Sequence, residues 1–165
     1  MTANRVLRAK LRAKRGSSLA EFAPGLLILL ICFFFPLIDL MSMGVSYAMC
    51  MVLNYNQVHE ASLLPWTDAT DPNGTVKKGI PQQWENGMGK FVKMTGSPTT
   101  VISYTSGQTG SDNVTDKVVS ATTTVVCNPF LTIPLMGMNI PGLSGPMTFC
   151  VYAERPMENP DYAKP

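Results

Sequence analysis

Phe22-Ala-Pro-Gly-Leu-Leu-Ile-Leu-Leu-Ile-Cys-Phe-Phe-Phe-Pro-Leu-Ile38 is a run of 17 consecutive uncharged, mostly apolar residues. That is the lower limit for a helix that crosses a bilayer. Glu21 and Asp39 bracket the run 18 positions apart (39 − 21). At 1.5 Å per residue this is roughly 27 Å, against a hydrocarbon core of about 30 Å, so each carboxylate can sit near an interface. The rival reading is a secretory signal that is removed, but its apolar core is usually shorter and closes on a small-residue cut site. Here the helical pattern continues through Leu40, Gly44, Val45, Ala48, Met51 and Val52 towards Leu63. The segment is therefore read as a retained anchor and stem.

Upstream of this run, charge is one-sided. Arg5, Arg8, Lys10, Arg12, Lys14 and Arg15 place six of the 13 basic residues before Gly16, with no acid among them. The remainder carries seven basic (13 − 6) and 11 acidic residues, so the net charge of +2 conceals a basic leader and an acidic body. The leader abuts an apolar helix and holds no aromatic side chain on which a base could stack, so nucleic acid is not the expected partner. Positive charge beside a membrane helix stays on the cytoplasmic side, which orients the rest of the chain outward.

Downstream, the composition turns polar at Leu63-Leu-Pro65-Trp66, the expected boundary between stem and head. With 165 residues, the chain has room for an anchor and one modest domain. Pro81 to Met94 carries Trp84, Met88, Phe91 and Val92 at spacings of 3 or 4, a short amphipathic helix despite Gly87 and Gly89. Thr99 to Thr105, Lys117 to Val126 and Met147 to Glu154 are rich in residues that favour strands, and Gly107 to Asn113 supplies a turn-rich connection. The expected fold is α+β: a long N-terminal transmembrane helix, then a small antiparallel sheet with a short helix.

Within the stem, Pro24 and Pro36 each lack an amide donor and are expected to kink or open the helix. Met41, Met43, Met49 and Met51 form an adaptable apolar surface. Gly44 and Ala48 make a small-xxx-small pair that admits a second helix, or else packs on the chain's own head. Asp39 is either a membrane-edge acid with a role in assembly or a carboxylate reaching the interface.

The four cysteines bear on compartment. Cys127 and Cys150 flank the proline-rich stretch Pro129 to Pro146, and a bridge between them would close 23 positions (150 − 127). Such a bond, worth about 3 kcal/mol, needs an oxidising compartment; two free buried thiols are the alternative. Cys32 and Cys50 read as apolar filler. No CxxC pair is present, so neither zinc nor thioredoxin-like chemistry is expected. His59, the single histidine, reads as an exposed stem residue. Without a phosphate loop, nucleophile elbow or paired acids, neither an enzyme nor a cofactor is expected. Asn73 and Asn113 match the glycosylation sequon but are read as surface turns.

The stretch Lys14-Arg-Gly16-Ser17-Ser-Leu-Ala-Glu21-Phe22-Ala, followed by an apolar run ending in Ile-Asp-Leu, resembles the precursors of the type IV pilin superfamily. It looks most like the TadE-like minor pseudopilins of tight-adherence (Tad, Flp-type) pili. The sharp part of the match covers about residues 14 to 50, and the family's early proline tends to come later than Pro24. The resemblance implies that a membrane prepilin peptidase cuts after Gly16, leaving a mature chain from Ser17 with Glu21 at its fifth position. It further implies three segments: a leader over 1–16, a transmembrane stem over 17–63 and a periplasmic head over 64–165. Implied partners are the bacterial inner membrane, the peptidase, other pilin and pseudopilin subunits and the inner-membrane assembly platform.

The residue chemistry fits such processing. Gly16 frees the backbone at the scissile bond, and the two following serines compete for backbone hydrogen bonds and keep the segment nonhelical. After a cut, the Ser17 amine lies about one helical turn from Glu21, and the pair can neutralise each other. In a filament Glu21 could meet a neighbour's amine instead, with Phe22 beside it. The plainer alternative for Glu21 is a favourable position at the helix N-terminus.

Overall fold

A computed structural model describes residues 22–109, 115–131 and 139–163. One helix, α1, runs over Phe22–Leu63. Its hydrogen bonding widens to a π turn at Leu30–Phe34, where the Phe35 amide donates to the Leu30 carbonyl. The cause lies one residue further on: Pro36 has no amide to donate, and its ring would press on the carbonyl four residues back, so the turn before it opens. Leu64 is extended ahead of Pro65, as steric clash before a proline requires, and α1 stops there.

A small helical layer follows. Helix α2 (Trp66–Thr70) leads into an exposed turn, where the Asn73 amide donates to the Asp71 carboxylate at 2.9 Å. A π turn at Thr75–Gly79 then runs into α3 (Ile80–Asn86). The amphipathic helix expected over Pro81 to Met94 is shorter than its pattern: it breaks at Gly87, and Met88–Phe91 is a separate 3-10 turn. Trp84 and Val92 are buried as their spacing required, whereas Met88 is exposed and Phe91 is 77% exposed. Gly89 explains the tight return, because a Cβ there would lie 2.8 Å from the Trp84 carbonyl and 2.9 Å from its ring.

Three strands, β1 (Thr99–Thr109), β2 (Thr115–Cys127) and β3 (Met147–Pro156), form an antiparallel sheet in the order β1-β2-β3. Each is longer than its composition indicated. Thr123 stands opposite Thr100 on one side and Val151 on the other, and this register sorts the side chains by parity. Val119, Ala121, Thr123, Val125 and Cys127 of β2, with Phe149 and Val151 of β3, face α1 and are buried. Val101, Cys150 and Tyr152 lie on the open face.

Two apolar clusters fill the space between helix and sheet. One gathers Met43, Cys50, Leu53, Trp84, Val125 and Phe149; the other gathers Val58, Ala61, Val76, Val119, Ala121 and Met157. Truncating Leu53, which has no exposed surface, to alanine is worth about 2 to 5 kcal/mol at such a site. Polar side chains also cross the helix–sheet interface. Asn54 donates to the Ala121 carbonyl at 2.9 Å, Gln57 donates to the Thr100 hydroxyl at 2.8 Å, and Thr123 donates to the side-chain carbonyl oxygen of Gln57 at 2.7 Å. These bonds fix how α1 sits on the sheet, since sliding by one residue would leave buried polar atoms unpaired.

The register corrects the expected bridge between Cys127 and Cys150. Cys127 stands opposite Met147 and Cys150 opposite Thr124, so their side chains leave opposite faces of the sheet. Cys127 is buried, Cys150 is exposed, and the Thr124 hydroxyl donates to the Cys150 sulfur at 3.9 Å. A disulfide cannot pass through the sheet between them.

Candidate functional site

The helix α1 has two halves with different surroundings. From Phe22 to Leu29 every residue is exposed, and from Leu30 to Ile38 none is buried. Phe22 is itself 66% exposed. Burial begins abruptly at Asp39. The projecting part spans roughly 25 Å at 1.5 Å per residue, a bilayer's hydrocarbon depth to within a turn. This one helix is long and apolar enough to cross a membrane. Gly16, Ser17 and Glu21, the expected processing and register residues, lie outside the described residues.

Beyond Ile38 the helix becomes two-faced. Met43, Ser46, Cys50, Leu53, Asn54, Gln57, Val58 and Ala61 turn towards the head and are buried. Met41, Gly44, Val45, Ala48, Met51 and Tyr55 turn away and are exposed. Of the small-residue pair, Gly44 and Ala48 are both exposed rather than packed against the described residues of the chain's own head. Among the described residues, a Cβ placed on Gly44 would meet nothing within 4 Å. The methionines divide as well, with Met43 buried, Met49 packed against the core and Met41 and Met51 outside.

An apolar groove of about 300 Å³ runs beside this strip, between α1 and the edge strand β3. Met51, Val52, Tyr55, Val151 and Tyr152 line it. A continuous apolar surface therefore extends from the membrane-length half of α1 along the open face of its other half. Such a surface is suited to helix packing, since small residues let backbones approach and methionines adapt to the partner.

Asp39, where the bare half ends, is 0% exposed. One carboxylate oxygen accepts from the Leu131 amide at 2.7 Å, and the other is buried without a hydrogen-bond partner among the described residues. The carboxylate is thus covered by the chain after β2 rather than reaching an interface, a contact that joins positions 92 apart and that no local pattern announces.

His59 also departs from expectation. It is half-buried, and the Arg155 guanidinium donates to its Nδ1 at 2.6 Å, tying α1 to the end of β3. Arg155 also lies 4.0 Å from the Glu158 carboxylate. Sequence reasoning missed Asn54, Gln57 and Arg155 as structural contacts. A signal was present for the first two: counted from Met43, the buried positions Ser46, Cys50, Leu53, Gln57 and Ala61 recur every three or four residues, marking one face regardless of polarity.

Among the described residues no group of three His, Cys, Asp or Glu side chains is placed to hold a metal ion. Comparison with family models, curated proteins and solved structures returns no match for this chain.

Proposed function

We propose that the protein is a TadE-like minor pseudopilin that takes part in assembling a tight-adherence pilus or a related secretion filament. The observation that carries this reading is the division of α1. Its first half is bare, apolar and of membrane length, and its second half holds the head on one face while leaving Gly44 and Ala48 open on the other. A display domain on a simple anchor has no need of an open apolar strip that continues past the bilayer, whereas a subunit that packs by its helix does.

In this reading the basic leader stays in the cytoplasm, α1 crosses the inner membrane and the head stands in the periplasm. A prepilin peptidase removes residues 1–16, and the new Ser17 amine and Glu21 then set the register against neighbouring pilin or pseudopilin subunits on the assembly platform. The work is mechanical rather than catalytic.

The test is the N-terminal mass of the protein isolated from its own membrane, alongside a Gly16→Leu variant. The expected result is a chain beginning at Ser17 in the wild type and an intact leader in the variant, because bulk at the scissile position obstructs the peptidase. An intact leader in both would overturn the proposal and leave an unprocessed single-pass protein that displays a periplasmic binding domain.

A further inference from the structure

Cys50 on α1 and Cys127 at the end of β2 are both 0% exposed and belong to the same apolar cluster as Leu53, Trp84 and Val125. They stand 77 positions apart in the chain (127 − 50), and only the docking of helix on sheet brings them together. One turn along α1 from Cys50, Asn54 donates to the Ala121 carbonyl at 2.9 Å and to the Thr123 hydroxyl at 3.0 Å. Cys127 stands four positions past Thr123 on the same face of β2, so the docking that seats Asn54 on the strand sets Cys50 beside the Cys127 end of it. With Cys50 as its neighbour, the Cys127 thiol is held below its ordinary value against the opposing effect of burial. A single buried thiol is a small apolar side chain. Two in contact have a two-electron chemistry available to them.

We propose that Cys50 and Cys127 form a disulfide that pins the stem helix to the sheet of the head. The inference rests on the reading that the head stands outside the cytoplasm, in a compartment that permits disulfides. Cys50 lies 12 positions past Ile38 (50 − 38), roughly 18 Å along the helix and clear of the apolar run. The oxidant is a small-molecule or protein disulfide. The Cys127 thiolate attacks one of its sulfurs, forming a mixed disulfide and releasing one thiol; the Cys50 thiolate then attacks Cys127 Sγ and releases the second. The two cysteines lose two electrons and two protons, and the oxidant is reduced to two thiols. Exchange takes place while the sheet docks on the helix, and complete burial then shields the finished bond from reductants.

The remaining cysteines stay reduced. Cys150 leaves the opposite face of the sheet, and Cys32 lies in the projecting apolar half of α1. The bond differs from the bridge expected from sequence in joining two elements rather than closing one loop of the head. A pull on α1 is then transmitted covalently to β2, at the centre of the sheet.

The test counts thiols in the full-length protein. Membranes are quenched in acid, the chain is denatured, free thiols are capped with N-ethylmaleimide, and thiols released by subsequent reduction are tagged with a maleimide-polyethylene glycol. Two tags per chain are expected, with a peptide map linking Cys50 to Cys127. Cys150→Ala keeps both tags, Cys127→Ala loses them, and reduction of the purified wild type lowers its Tm by on the order of 10 °C. The wild-type count needs no variant, so misfolding of a core substitution does not obscure it. In parallel, a membrane-impermeant maleimide is applied to cells with a permeabilised outer envelope and read at the exposed Cys150. Labelled Cys150 with no tags, or a link that includes Cys150, overturns the disulfide while leaving the location of the head intact. Unlabelled Cys150 with no tags overturns the location, and the bond falls with it.

Discussion

Single side chains at the helix–sheet interface carry consequences out of proportion to their number. Gln57 has no exposed surface, and its amide serves the Val76 carbonyl and the Thr123 hydroxyl at once. Gln57→Leu preserves bulk but strands these partners in the interior, so a loss of about 2 to 3 kcal/mol is expected in denaturant unfolding of the detergent-solubilised chain. Tyr104 presents the opposite case. Its hydroxyl is buried without a hydrogen-bond partner among the described residues, and burial raises it above the ordinary 10.0. In the unfolded chain a tyrosine ionises near pH 10 while the folded chain keeps the proton, so the folded state binds more protons and stability falls as pH rises above that point. Tyr104→Phe should therefore raise stability by about 1 kcal/mol at neutral pH and remove this residue's share of the alkaline loss, both readable from thermal melts between pH 8 and 11.

At the scale of elements, α1 does two jobs with one continuous helix, and the change occurs at Asp39. Before it, apolar side chains surround the axis; after it, one face is committed to the sheet and the other is open. The π turn before Pro36 interrupts the hydrogen-bond ladder within the bare half, leaving the half that carries the head regular. Because a Cβ at Gly44 meets nothing, Gly44→Leu leaves the head intact, and better helix propensity stabilises the chain by up to about 1 kcal/mol. The same substitution should block close helix approach. The expected outcome is an unchanged or slightly raised Tm, together with loss of crosslinking between neighbouring subunits in the membrane. Equal crosslinking in the variant would remove Gly44 from the packing surface.

For the molecule as a whole, the C-terminal half of the stem is also the central helix of the head: the buried face of α1 lies against β2 and β3, and the Glu158 amide returns to the Ser62 carbonyl at 3.2 Å. Much of this was legible in the chain. The apolar run, the end of α1 at Leu63 and the three strands follow from local causes: unbroken hydrophobicity, an extended residue before Pro65, and segments rich in Val, Ile, Thr and Tyr. The short helix was harder, because a spacing pattern does not register that Gly89 must fold back against Trp84. Pairings across the chain lay further out of reach. The expected partner of Cys127 was Cys150, close in sequence, but parity within the sheet sends them to opposite faces and puts Cys127 in the same apolar cluster as Cys50. The burial of Asp39 under Leu131 and the link from Arg155 to His59 were hidden for the same reason. Hydrophobicity and backbone preference act over a few residues, so the sequence by itself determined the elements and the membrane-length helix. Which faces of those elements meet depends on strand register and on where the helix settles against the sheet, so the tertiary structure alone decided which cysteines touch and that Gly44 and Ala48 face outward.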